Sequence, residues 1–373
     1  MQYIEENKLW IDEVWEKLTI KLGKNAVLAG EKIPSTTVDG VYDDLSEKIG
    51  SWTNGFWPGL MWLMYVGTKD EKFKNVAECT EKKLDKALWN FKGLYHDVGF
   101  MWHISAGVNY KITGNEDSKN RNLHAAASLA SRYNIGGDFI RSWNWDDYGW
   151  VIIDSMMNLP LLYWASEEIG DPRFKKIAMH HADKVLENHI RPDGSVYHVV
   201  KFDSDTGEVL GYPHTQGYEP NSSSWTRGQA WAIYGFVLSY IHTGEKRYLD
   251  AAKRVAHYFI AAVAACDYVP TCDFRSPKEP YYYDTSAGST AACGLIEIAK
   301  IVDEYEKDMY ISAAIKILKA IEEKHCDWSD EEQGIVKNAM AYYKQGIHKN
   351  TIYGDYYFTE AIYKLKGFDM LFW

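Results

Sequence analysis

The sequence predicts an all-α fold, an (α/α)6 barrel of six inner and six outer helices, and three observations carry the prediction. First, a helix–turn–helix phrase recurs, with turns at Gly67-Thr68-Lys69-Asp70, Gly114-Asn115-Glu116-Asp117, Gly170-Asp171-Pro172 and Gly244-Glu245-Lys246. Glycine just past a helix end relieves left-handed strain, and Asp before Pro suits the next helix start. Second, amphipathic helices alternate with helices apolar on nearly every side. Third, each apolar helix opens on a polar cluster, so a closed ring would gather those clusters at one end.

Taken in order, the amphipathic helices are spaced by Phe73, Val76, Ala77, Thr80, Leu84, Ala87 and Phe91, then by Phe174, Ile177, Ala178, Ala182 and Val185, then by Tyr248, Ala252, Val255 and Phe259. That spacing gives one apolar face and one wet face. The apolar helices include 59–65, 158–164, 231–238 and 291–296, and a helix with little polar face must be buried on most sides. Six inner candidates begin near residues 52, 98, 151, 225, 285 and 355. Extended segments are expected only around 195–202 and 268–274. An open α-solenoid is the rival architecture, but its inner helices would not be apolar all round. No Pro/Gly/Ser linker divides the chain, so 1–373 reads as one domain.

The formal charge is -11 with no basic stripe, which argues against nucleic acid as a partner. Aromatic residues make up 15% of the chain, including 15 Trp and 27 Tyr. They fit either a wide helical core or a sugar site, where ring faces stack on the C–H faces of pyranoses. The five cysteines, Cys79, Cys266, Cys272, Cys293 and Cys326, form no Cys-x-x-Cys pair, which fits reduced thiols in a cytoplasmic protein. Residues 1–24 lack a basic start followed by an apolar run, and no segment is apolar enough to span a bilayer. No signal peptide is evident, and no membrane partner is expected.

The polar clusters at the inner helix starts hold the candidate chemistry. They are Ser51-Trp52-Thr53-Asn54, Tyr95-His96-Asp97-Val98, Ile153-Asp154-Ser155, Trp225-Thr226-Arg227-Gly228-Gln229, Tyr283-Asp284-Thr285 and Gly354-Asp355-Tyr356. The third follows the aromatic run Trp143-Asn144-Trp145-Asp146-Asp147-Tyr148. Helix capping accounts for Asp284 and Asp355. Asp154 differs, because Val151-Ile152-Ile153 and Met156-Met157 frame it with apolar residues. Desolvation there should raise its pKa and let it hold a proton. Asp97 is the natural second acid, and paired carboxyls are what glycosidases use. Arg227, between Trp225 and Trp231, suits a carboxylated sugar through its planar fork; a buried ion pair with an Asp of the next helix explains it equally well. His198 and Gln216 fall in loops and are candidate binding residues, with Trp52 and Trp143 as further candidate rings. Metal-ligand spacing is absent: His180-His181 reads as ordinary surface and core histidine.

These blocks, in this order, resemble the unsaturated glucuronyl hydrolases, glycoside hydrolase family 88. The resemblance runs from about Trp52 to Tyr357 and also covers Asn158-Leu159-Pro160-Leu161-Leu162. It implies the (α/α)6 barrel. It implies lyase-generated oligosaccharides as substrates, disaccharides included, with a 4,5-unsaturated uronic acid at the non-reducing end. It implies Asp154 as general acid/base assisted by Asp97, and His198, Gln216, Trp225, Arg227 and Trp231 around the uronate. The implied chemistry is hydration of the double bond, which needs neither metal nor organic cofactor. Relatives that accept sulfated sugars carry a loop with serine and lysine before the last inner helix. Here Tyr342-Tyr343-Lys344-Gln345-Gly346 keeps a lysine without the serines, which argues against strong dependence on sulfate.

Three alternatives remain at this stage. An unsaturated rhamnogalacturonyl hydrolase could use a similar barrel. An epimerase-like barrel would favour catalytic histidines over an Asp pair. A non-catalytic uronide-binding barrel would bind saturated and unsaturated sugars alike.

Overall fold

The computed structural model describes residues 2–145 and 148–373, so Asp146 and Asp147 of the aromatic run lie outside the described residues. A one-faced helix can bury only that face, whereas an apolar helix must be surrounded, and the chain sorts its helices accordingly. The inner ring consists of α2 (Phe56–Thr68), α4 (Gly99–Gly107, continuing as Val108–Thr113), α6 (Leu159–Ile169), α8 (Thr226–Thr243), α10 (Thr285–Ile301) and α12 (Ile352–Leu365). Each packs on the next, and α12 returns to α2, which closes the ring. The outer layer is α1 (Lys8–Ala29), α3 (Glu71–Lys83), α5 (Glu116–Ala130), α7 (Pro172–His189), α9 (Lys246–Ala264) and α11 (Glu304–His325).

The sixth outer helix is α1, which comes from the N-terminal end and packs on α2, α3 and α12. Buried Lys21 fastens it by donating to the carbonyls of Ser329 and Glu332, in the segment after α11. The ring interior is filled with aromatic side chains: Trp57, Trp62, Trp102, Trp231, Tyr234, Tyr356 and Tyr357 are all fully buried. Much of the aromatic excess is therefore core. All five cysteines are free. No helix among the described residues is long and apolar enough to cross a membrane.

Several local expectations shift. Gly114, Gly170 and Gly244 end their helices in the left-handed conformation, at φ 72°, 66° and 73°. Gly67 does not: it sits inside α2, where a Cβ would come within 2.4 Å of the Trp15 ring, and Lys69 takes the left-handed position at φ 61°. The amphipathic pattern read through to Phe91 breaks earlier. The α3 helix stops at Lys83, one turn follows at Asp85–Leu88, and Phe91 is 73% exposed.

Strands β1 (Trp150–Ile152), β2 (Val199–Phe202) and β3 (Val209–Gly211) form one antiparallel sheet in the order β1-β2-β3. Thus residue 151 lies in a strand, and the third helical start begins two residues later, as the 3-10 helix Ile153–Asn158. The expected extension at 268–274 reduces to the isolated bridges Trp225–Asp273 and Thr271–Tyr283.

Candidate active site

The β1–β2 pairing decides where the third cluster sits. Ile152 pairs with Val199, and Ile153 N–H donates to the His198 carbonyl at 3.0 Å, so His198 lies beside the start of the 3-10 helix. His198 Nε2 then stands 3.5 Å from Asp154 Oδ2. The Gln216 N–H donates to His198 Nδ1 at 3.0 Å, so the neutral ring carries its proton on Nε2, facing the Asp154 carboxyl. His198 was expected in a loop off the core; the ring is buried against Trp225, with centroids 4.4 Å apart.

Asp97 and Asp154 line one narrow cleft of about 120 Å3, together with Trp52, Trp143, Gln216 and Arg227. A larger groove, about 670 Å3, lies on the outer wall beside Trp89 and α5. Asp85 there is already gripped by Arg121 through two hydrogen bonds of 2.6 and 2.9 Å. The smaller cleft holds the paired acids and is the better candidate for chemistry.

Desolvation was anticipated at Asp154; the carboxyl that it raises is that of Asp97. Burial, and then the neighbouring Asp154 charge, push the Asp97 carboxyl well above the ordinary carboxylate range. His96, buried beside it with Nε2 at 3.4 Å from Asp97 Oδ1, is driven well below the usual histidine range by burial and stays neutral. One acid of the pair therefore holds its proton where isolated carboxyls would have lost theirs.

Arg227 satisfies both readings of it. It forms the buried ion pair with Asp284 of the next inner helix, Nη1 to Oδ2 at 2.6 Å, and it also lines the cleft. Its Nη1 donates further to the Met340 carbonyl at 2.8 Å, and Nη2 to the Ala341 carbonyl and Gln216 Oε1, both at 3.2 Å. With Oε1 claimed by Arg227, the Gln216 side-chain NH2 is the end left to meet an anionic ligand. Asp284 also caps α10, accepting from Ala287 N–H. Asp355 is not a cap. It lies in the first turn of α12, whose cap is Thr351, and accepts from the N–H groups of Ile335 and Val336 at 3.1 and 2.7 Å.

Three predicted binding residues, His198, Trp225 and Trp231, are not among the side chains that line the cleft. Trp231 is fully buried one and a half turns inside α8, packed on Phe100 and Tyr357 with centroids 5.3 and 5.5 Å away. Trp225 is 2% exposed and forms the layer beneath His198 and Arg227, the guanidinium lying 4.6 Å from its ring centroid. The cleft wall gains instead Tyr95, Trp145, Ile152 and Tyr342. Trp145 stacks on Trp143 at 5.2 Å and 16° and leaves 65% of its surface exposed. Tyr95 and Trp145 sit two residues from Asp97 and Trp143, a proximity the sequence displays. Tyr342 comes from a distant loop.

Among the described residues no group of three His, Cys, Asp or Glu could hold a metal. His181 is buried and bonds Ser155 Oγ at 2.7 Å, while exposed His180 pairs with Asp138. Lys344 lies exposed beyond Tyr343, close enough for its charge to act on His214.

The sequence profile of Glycosyl Hydrolase Family 88 matches residues 28–372. The chain is 35% identical over 369 residues to the unsaturated glucuronyl hydrolase of Bacillus sp. (strain GL1), covering 96% of this chain and 97% of the relative. It is 31% identical over 382 residues to the unsaturated chondroitin disaccharide hydrolase of Streptococcus agalactiae serotype III (strain NEM316), covering 98% and 94%. The crystal structure of the Bacillus sp. GL1 unsaturated glucuronyl hydrolase superposes with a TM-score of 0.87 at 35% identity, covering 94% of this chain and 97% of that one.

Proposed function

The chain belongs to glycosyl hydrolase family 88, and from that membership we propose that it is an unsaturated glucuronyl hydrolase. In this reading it releases 4,5-unsaturated uronic acid from the non-reducing end of lyase-generated glycosaminoglycan disaccharides and oligosaccharides. The whole chain acts as one catalytic unit, in the cytoplasm. The observation that carries the reading is the carboxyl pair in an aromatic cleft, one acid kept protonated by burial and by its neighbour. Two relatives with the same reaction in their names, at 31–35% identity over nearly the full length, support it.

The reaction runs as a hydration. Asp154, acting in its acid form with His198 Nε2–H alongside and Asp97 assisting, delivers its proton to carbon four of the enol ether. Positive charge develops at carbon five, next to the ring oxygen. The Asp154 carboxylate takes a proton from the water that adds there. The hemiketal collapses, opens the ring and releases the neighbouring sugar. Gln216 NH2, backed by the Arg227 charge, holds the uronate carboxylate. Trp52, Trp143 and Trp145 supply faces for the sugar rings.

The test is optical. Unsaturated uronides absorb in the near-ultraviolet, and hydration removes the chromophore. Unsaturated chondroitin or hyaluronan disaccharide should lose absorbance with the enzyme, and heparin and rhamnogalacturonan products tested alongside identify the preferred leaving sugar. Turnover confined to rhamnogalacturonan products, or binding without turnover, would overturn the reading.

A further inference from the structure

The two acids come from the starts of different inner helices, and a single buried side chain spans them. Asn158, fully buried, ends the 3-10 helix that carries Asp154, four residues further along the chain. Its Oδ1 accepts the Phe100 N–H at 3.0 Å, satisfying one of the free donors at the start of α4. That bond fixes the orientation of the amide, because a flipped group would set N–H against N–H. The NH2 is thereby aimed at Asp97 Oδ1, at 3.2 Å, and at the Asp154 carbonyl, at 3.4 Å. The approach is possible because residue 99 is glycine: a Cβ there would lie 2.6 Å from Asn158 Oδ1 and 2.8 Å from its Cα. His96 also faces Oδ1 of Asp97, so Oδ2, which has no partner among the described residues, is the oxygen left to the cleft.

We propose that Asn158 is the positioning residue of the carboxyl pair: its amide ties the Asp97 side chain to the backbone of Asp154 and confines the Asp97 proton to Oδ2. The inference rests on the reading of Asp97 and Asp154 as the catalytic pair. An amide N–H bonded to a carboxylate stabilises the charged form, so Asn158 counteracts the upward push on Asp97. The other groups acting here are Asp154 across the cleft, His96 and Tyr95 on the Asp97 segment, Arg132 after α5, His198 before β2 and Tyr357 on α12. None of them bonds the same Asp97 oxygen as a fixed donor on the chain that carries Asp154.

The experiment uses the full chain and two readouts. The protonated-carboxyl infrared band of Asp97, assigned by its loss in Asp97→Asn, is titrated in wild type and in Asn158→Ala. Its midpoint should rise by about one pH unit, the scale of one hydrogen bond to a charged group. In Asn158→Asp, which keeps the acceptor for Phe100 N–H but loses the donor, the limb of the kcat/KM pH profile governed by Asp97 should move upward. There kcat should fall roughly 10- to 100-fold, with KM within about threefold of wild type. A merely structural role would lower thermal stability and leave the titration and the profile in place. An unmoved infrared midpoint, or an unmoved profile in folded Asn158→Asp, overturns the proposal. Because the infrared midpoint needs no turnover, it decides the matter even if wild type fails to hydrate any unsaturated uronide, an outcome that would sink the functional reading alone.

Discussion

The sharpest structural perturbation is Arg227→Met. Both members of the Arg227–Asp284 pair are almost entirely out of solvent, at 3% and 0% side-chain exposure, and they meet at 2.6 Å. Solvent screening therefore gives no discount. Removing the guanidinium leaves Asp284 Oδ2 charged and unpartnered, which costs roughly 3–5 kcal/mol in comparable buried pairs. For a chain of this size that is a fall in Tm of roughly 4–6 °C. The Met340 and Ala341 carbonyls lose their donor as well. The double variant Arg227→Met/Asp284→Asn removes the stranded charge, and Asn can still accept from Ala287 N–H, so it should recover about half of the loss. Thermal unfolding followed by circular dichroism reads both. The same single variant frees Gln216 Oε1 from its anchor, so KM for the uronide should rise about tenfold, the equivalent of one hydrogen bond. A single variant within about 2 °C of wild type, or a double variant no more stable than the single, would refute the assignment of Arg227 as a buried structural cation at the cleft wall.

Other outcomes follow from the same geometry. Asp154→Asn should lower kcat by roughly 10²- to 10⁴-fold with Tm nearly unchanged; near-normal turnover in a continuous absorbance assay would remove Asp154 from the chemistry. Trp145→Ala should raise KM several-fold at constant Tm, since its ring is exposed at the cleft. Trp231→Ala should instead cost roughly 3–5 kcal/mol of stability, and paired KM and Tm measurements separate the two. Burial pushes Asp355 up from 3.8 to about 7. A carboxyl raised on folding contributes stability that is full below its unfolded value and lost as pH rises through the folded one. Wild type should therefore lose Tm relative to Asp355→Asn between pH 5 and about 8, and parallel Tm curves would contradict this.

The architecture was legible because hydrophobic pattern alone separates the two helix classes: the all-apolar runs became the inner ring and the one-faced runs the outer. The N-terminal helix escaped that logic, since its place is set by closure of the ring against α12, a contact between chain ends. At the site, Asp97, Asp154, Trp52 and Arg227 were readable because polar groups at inner helix starts converge once the ring closes, whereas Trp143 and Gln216 reach the cleft from loops. Trp231 misled because neighbours along a helix are separated in depth: six residues carry it about 9 Å down the axis from Trp225. Tyr342 was hidden because its loop meets the cleft only through the fold. Asn158 read as part of an apolar run, although its position four residues after Asp154 was the available signal.

The most direct measurement follows chromophore loss and leaving-sugar release together, in one reaction on an unsaturated disaccharide. Addition of water across the double bond predicts that absorbance falls no later than the sugar appears, one for one, and that Asp154→Asn stops both. Release of sugar while the absorbance persists would mean attack at the anomeric carbon, and the hydration account would be wrong.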